Sequence, residues 1–300
     1  MNQPADFPVL LECFFTKRMM SQRRASPHTI ASYRDTFRLL LQFAQKRLDK
    51  AASQVTIENL NAPFIGAFLD DLENGRRNSV QSRNLRMTAI RSFFRYLALE
   101  APHHSGLIQR VLAIPSKRRA QRLVGFLTRN EVDALLAAPD RNTWIGRRDH
   151  TLLLVAVQTG LRLSELTALR QQDLVLASGA HVRCEGKGRK QRCTPLTKTT
   201  IRVLAQWVHE QGREDTKILF PNARGDRLSS DAVQHLVSKY ARVAQQNCPS
   251  LKHRRVTPHL LRHTSAMELL QAGVDLTVIA LWLGHESIET TRIYLDADLA

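Results

Sequence analysis

What most constrains the fold of this chain is a recurring helix-start signal. A short polar residue stands just ahead of apolar residues at helical spacing. At Ser26-Pro27 a serine cap precedes a proline whose fixed φ suits the first helical position. Ile30, Tyr33, Phe37, Leu40 and Leu41 follow at helical spacing. A second helix is expected from about Thr56 through Phe64, Phe68 and Leu72, stopping at Asn74-Gly75. A third is expected from Asn78-Ser79, carrying Ile90, Phe93, Phe94 and Leu97. Thr128-Arg129-Asn130-Glu131 is a capping box, with Val132, Leu135 and Leu136 as the buried side. Further starts stand at Thr197, at Ser229 or Ser230, at Thr257-Pro258, at Asp275 and at Ser287. One segment breaks the pattern. His181-Val182-Arg183-Cys184 and Arg192 to Leu196 flank Gly186-Lys187-Gly188-Arg189-Lys190, which predicts a β-hairpin with glycine at the turn. The expected fold is mainly α with a small antiparallel β element.

Three hundred residues, 43% hydrophobic and 24% charged, suit two globular domains. Ile114-Pro115-Ser116-Lys117-Arg118-Arg119 is polar, basic and broken by proline. It marks residues 112–123 as a linker between domains at 1–111 and 124–300. Lys and Arg total 44 against 27 acids, a formal net charge of +17. Such a chain expects a polyanionic partner, and nucleic acid comes first because each phosphate contact releases counterions. Both halves are basic, which points to a groove built by two domains. An anionic membrane surface would need a basic amphipathic anchor or a lipidation signal, and neither is read here. Arg83, Arg86, Arg91 and Arg95 form a candidate basic stripe on the third helix, and Lys117, Arg118 and Arg119 a candidate contact in the linker. For any single arginine, a solvated helix face is as good a reading. The four cysteines show no Cys-x-x-Cys spacing, so a zinc site is not expected. No leader-like or bilayer-length apolar run is read. The expected setting is a reducing cytoplasm, with no membrane association and the cysteines as free thiols.

The chemistry-bearing residues fall in the second half. Arg162, in Thr159-Gly160-Leu161-Arg162-Leu163-Ser164-Glu165-Leu166, emerges where a buried helix ends. Glu165, three residues on, shares its face and can orient it. A plain intrahelical ion pair is the competing reading. In Pro258-His259-Leu260-Leu261-Arg262-His263, His259 and Arg262 face one side of a helix. They are an uncomfortable pair unless an anion lies between them. Metal binding by His259 and His263 is the rival, although a metalloprotease motif would need glutamate where Leu260 stands. Leu283-Gly284-His285 precedes the helix that contains Tyr294. Alone, a histidine in a turn is usually structural, and a tyrosine on a terminal helix usually belongs to a core or an interface.

Together, Arg162 in its Thr-Gly-Leu-Arg-x-Ser-Glu-Leu run, His259-x-x-Arg262, Leu-Gly-His285 and Tyr294 resemble the tyrosine recombinases, the family of phage integrases and Xer recombinases. The resemblance spans the chain and implies an N-terminal helical, SAM-like DNA-binding domain, a linker and a C-terminal catalytic domain. It implies that Tyr294 attacks a scissile phosphate to form a 3′-phosphotyrosyl link. Arg162 and Arg262 then clamp the non-bridging oxygens, and Lys187, in Gly186-Lys187-Gly188, protonates the leaving 5′-oxygen. His259 helps move the tyrosine proton, His285 hydrogen-bonds the phosphate, and Glu165 supports Arg162. No metal, ATP or other cofactor is implied. The partner is double-stranded DNA, held by a homotetramer on paired sites. Many members extend past the tyrosine and dock a C-terminal helix on a neighbouring subunit, whereas six residues follow Tyr294 here. Either further residues follow, or subunit contacts are made otherwise. A topoisomerase-like activity without synapsis and a catalytically silent DNA-binding protein are the two rivals.

Overall fold

The computed structural model describes residues 6–118, 125–186, 191–212, 214, 217–285 and 287–298. The helix starts expected from the sequence recur as working caps. Ser26 accepts from the Thr29 amide at the head of α2 (Pro27–Leu48), and Ser79 accepts from Ser82 at the head of α4 (Val80–Glu100). The second expected helix does not begin at Thr56. Residues Glu58–Leu60 make a single tight turn, and α3 (Ala62–Asp70) starts only after Asn61 caps it through the Phe64 amide. Pro63 explains the delay. It needs the first turn of a helix, where its missing donor costs nothing, and would break a helix that had already begun at Thr56. Two helical segments go beyond the sequence expectation: α1 (Phe7–Cys13), continued by a wider-wound stretch Phe14–Gln22, and α5 (Ser105–Leu112).

The chain folds as two units, Met1–Gln121 and Arg122–Ala300. The first is helical throughout its described elements, and its core is aromatic. Phe14, Phe37 and Phe93 meet edge to face around buried Leu40, Leu60, Ile65 and Leu97. Its C-terminal stretch folds back on α4. Asn84 pairs with the Lys117 backbone in both directions, donating at 2.9 Å and accepting at 3.1 Å. Residues 119–124, with Arg119, lie outside the described residues.

The second unit opens with α6 (Arg129–Ala137). Its capping box is formed as the sequence predicts, with Glu131 bonded to the Thr128 amide at 2.9 Å. There follow α7 (Trp144–Thr159), α8 (Leu163–Ala168), a sheet, α9 (Lys198–Gln211), α10 (Ser230–Ala244), α11 (Pro258–Gln271), α12 (Leu276–Leu283) and α13 (Glu289–Asp298). The sheet holds the predicted hairpin, β2 (His181–Glu185) and β3 (Gln191–Pro195), plus a two-residue strand that the sequence does not announce, β1 (Leu174–Val175), paired antiparallel to β2. Cys184 pairs with Arg192 and Glu185 with Gln191. The intervening residues 187–190, Lys187 among them, lie outside the described residues. The main core gathers Leu152, Leu153, Val182, Leu204, Trp207 and Phe220, and a smaller cluster gathers Ala266, Met267, Ile279, Leu283 and Tyr294. The chain is thus mainly α with a small antiparallel sheet, as the sequence predicts. Among the described residues, no helix is long and apolar enough to cross a membrane.

Candidate active site

The site begins where α7 ends. Gly160 closes that helix at φ +59, a conformation glycine adopts without strain. A Cβ there would stand 2.7 Å from Leu283 Cδ2 and 3.0 Å from Ser265 Oγ, so the turn packs directly on α11 and α12. Arg162 follows as the cap residue of α8, and its amide donates to Glu165 Oε2 at 2.8 Å. Its guanidinium donates to Glu165 Oε1 at 2.9 Å and to the Gly284 carbonyl at 2.6 Å. The Glu165 side chain is buried. Burial works to protonate the carboxyl, but hydrogen bonds from Arg192 and from Arg162 outweigh it and hold the group below the usual carboxylate range.

Arg262, on α11, is almost fully buried. Its two terminal nitrogens donate to the Gly160 carbonyl at 2.5 Å and the Leu283 carbonyl at 2.7 Å. Among the described residues, no carboxylate is directly bonded to it. Burial, then the neighbouring Arg162, pulls its pKa down to about 10, so it remains a cation at neutral pH. Two guanidiniums meet here with mostly backbone partners, an arrangement that favours an anion between them.

Three imidazoles crowd the same region. The rings of His259 and His263, one turn apart on α11, lie 4.1 Å apart between centroids. Burial and Arg262 lower the pKa of His259. Burial, then His259, lowers that of His263 to about 4, and burial, then Arg262, lowers that of His285 to about 4. These shifts favour the neutral imidazole, which can accept a proton on one ring nitrogen while donating from the other. His285 Nδ1 bonds Thr291 Oγ1 at 2.8 Å, which ties the turn after α12 to α13.

Tyr294 projects from α13 into this cluster with 1% of its surface exposed. Its hydroxyl and His263 Nδ1 are hydrogen-bonded at 2.9 Å. Burial raises the phenol pKa and Arg262 works against it. A cleft of about 590 Å³ beside the cluster is lined by Arg162, His259, Arg262 and His285, among others, and Tyr294 does not line it. The structure therefore brings Arg162, Glu165, His259, Arg262, His285 and Tyr294 into one cluster.

The sequence of residues 125–300 matches the phage integrase family, and residues 14–101 match the N-terminal SAM-like domain of phage integrases. The chain belongs to the phage integrase family, the tyrosine recombinases. Its relatives agree over nearly the whole length. It is 63% identical to an integrase/recombinase of Sinorhizobium fredii, covering 100% of this chain and 90% of that one. It is 35% identical to the tyrosine recombinase XerC of Pelobacter propionicus, covering 95% and 90%. In fold it is similar to the XerH site-specific recombinase bound to a palindromic difH substrate, with a TM-score of 0.74 at 23% identity over 95% of this chain and 80% of that one. As a tyrosine recombinase the chain is a DNA strand transferase that works through a tyrosine intermediate.

Two residues beside the predicted set belong to the cluster. His263, from the sequence a candidate metal ligand, instead holds Tyr294. The signal is its place one turn after His259, on the same face. Arg192 forms a bidentate pair with Glu165 at 3.0 and 2.7 Å. Its signal is strand alternation, since it shares the inward face of β3 with buried Thr194. In the first unit, the expected basic stripe divides. Arg83 is turned inward at 5% exposure with Glu73 3.4 Å away. Arg86 is held by Asp35 at 2.5 Å, and Arg91 by the Ile114 carbonyl and Ser116. Lys117 pairs with Glu73 at 2.5 Å, while Arg95 and Arg118 are exposed. The solvated-face reading fails for Arg83, Arg86 and Arg91, because these side chains tie α4 to its neighbours.

Proposed function

We propose that this chain is a site-specific recombinase that opens and reseals double-stranded DNA at the cleft beside α11, with Tyr294 as nucleophile. The carrying observation is the convergence of two guanidiniums, Arg162 and Arg262, and three imidazoles around the buried phenol of Tyr294. Phosphodiester transfer gathers negative charge on the non-bridging oxygens, and fixed cations in a dry site stabilise that charge more than bulk water does. Arg162 and Arg262 supply them.

The phenol oxygen attacks phosphorus, the bond to the 5′-oxygen breaks, and a 3′-phosphotyrosyl ester remains. The phenol proton passes to an imidazole, His263 by contact or His259 beyond it. Lys187 delivers a proton to the departing 5′-oxygen, and His285 donates to a phosphate oxygen. Resealing runs the same steps backward with the 5′-hydroxyl of a partner strand. The ester conserves the energy of the bond it replaces, so no nucleotide hydrolysis is needed. At 1% exposure Tyr294 cannot meet a phosphate where it stands. Attack therefore requires α13 to shift and the bond to His263 to open, a gating step coupled to DNA binding. Exposed Arg95 and Arg118 are candidate phosphate contacts in the first unit. A homotetramer pairs two sites, and the cytoplasm is the setting such a substrate implies.

The test uses a duplex selected from random sequence by its binding to the protein, then nicked close to each candidate cleavage point so that the cut strand diffuses away. The expected result is a denaturation-resistant protein–DNA adduct, absent in Tyr294→Phe and unaffected by EDTA. An adduct that persists in Tyr294→Phe refutes the nucleophile assignment.

A further inference from the structure

Three consecutive carbonyls at the C-terminal end of α12 each accept from a different arginine. Trp282 O receives Arg192 Nε at 3.0 Å, Leu283 O receives Arg262 Nη2 at 2.7 Å, and Gly284 O receives Arg162 Nη2 at 2.6 Å. The last carbonyls of a helix lack intrahelical donors and carry the negative end of its dipole, so cations settle there. Arg162 and Arg262 line the cleft, and Arg192 does not.

Arg192 instead links three elements. It is the second residue of β3, opposite Cys184. Its Nη1 and Nη2 engage both oxygens of Glu165, while its Nε reaches α12. Its side chain is 12% exposed and that of Glu165 is 4% exposed. The contact is shaped on its other face too. Gly284 has φ +65, and a Cβ there would fall 2.8 Å from Arg192 Nη1 and 3.0 Å from Cζ, so the guanidinium lies directly against that backbone. Glu165 is therefore gripped from one side by Arg192 while it presents Oε1 to Arg162 on the other.

We propose that Arg192 is a positioning residue for strand transfer. It fixes Glu165, and through it the direction of Arg162, and it anchors the end of the β2–β3 loop to the turn that carries His285. The inference rests on the strand-transfer reading of the cleft. A planar guanidinium with several donors can satisfy the carboxylate and the carbonyl together, which a lysine ammonium cannot do in the same geometry.

The experiment compares the full chain with Arg192→Gln, Arg192→Lys and the double variant Glu165→Gln/Arg192→Gln on the nicked duplex described above. DNA affinity, melting temperature and the rate of adduct formation are read for each. Arg192→Gln is expected to bind DNA as the parent does but to form adduct roughly 10- to 100-fold more slowly, the size expected when a reacting group is misaimed by about an ångström. Arg192→Lys is expected to recover part of that rate, and the double variant none of it. Parental rate in Arg192→Gln overturns the proposal. So does parental rate in the double variant, since Arg192 would then only neutralise Glu165. If Arg192→Gln does not fold, Arg192→Lys decides: slowed adduct formation at unchanged melting temperature supports the proposal, and parental rate overturns it. No adduct from the unsubstituted chain overturns the strand-transfer reading first and this inference with it, a failure distinct from an active parent with indifferent variants.

Discussion

At the scale of single residues, the site is governed by burial. His263 and His285 are held neutral down to about pH 4, well below an ordinary histidine near 6.5. The unfolded chain therefore binds more protons than the folded one between those values, and stability is fully present above about pH 6.5 and falls as the pH drops toward 4. The melting temperature should decline across that window, and His263→Gln, which keeps a hydrogen-bonding side chain, should flatten the decline. An unchanged slope in that variant removes His263 as a source. A phosphate in the cleft favours protonated imidazole, so the His285 titration followed by NMR should move upward when the nicked duplex is bound. Gly160 sets another limit at this scale. Gly160→Ala combines a positive φ with a Cβ 2.7 Å from Leu283, and a loss of about 1–3 kcal/mol is expected in denaturant titration.

At the scale of elements, the caps carry most of what the sequence can say. Ser26, Ser79, Thr128, Thr197, Ser229, Thr257 and Asp275 all cap helices as expected, because a cap is a local bond between a hydroxyl or carboxylate and amides two or three residues on. Thr128→Ala should lower stability by about 1 kcal/mol. Glu131→Ala should cost more, since its carboxylate is buried and also receives Ser250 at 2.7 Å and lies 3.2 Å from Arg254. Chemical denaturation of both variants checks the order. What the sequence hides are partners made by folding. Arg83 and Arg86 read as a solvent or phosphate face, because Glu73 and Asp35 lie on other elements and reach them only through packing. His263 enters the sequence reading only through the rival metal pair, because its partner Tyr294 lies 31 residues away. Strand alternation marks Arg192 as inward-facing but does not name its partners, since Glu165 and Trp282 lie on other elements. The candidate site residues that cluster in the fold are legible through their motifs, whereas the hydrogen-bond network around them is not.

At the scale of the whole molecule, each unit has its own closed core. Residues 122–300 expressed alone should therefore melt cooperatively, with calorimetric and van't Hoff enthalpies in agreement. A broad, non-cooperative melt would show that this half depends on residues 1–121. The same fragment should retain weak DNA binding that steepens with falling salt, since it is itself net basic. The carbonyls closing α12 bear on how any anion enters. Arg162, Arg192 and Arg262 are already bonded to oxygen before a substrate arrives, so a phosphate does not meet bare cations. It must share or displace donors that backbone dipoles hold, and a small free anion gains little by that exchange. Inorganic phosphate should accordingly be a poor competitor, while a duplex, anchored by many contacts elsewhere along its length, can drive the exchange at this one position. The end of a single short helix thus acts as a surrogate ligand that keeps the enzyme indifferent to stray phosphate until DNA is in place.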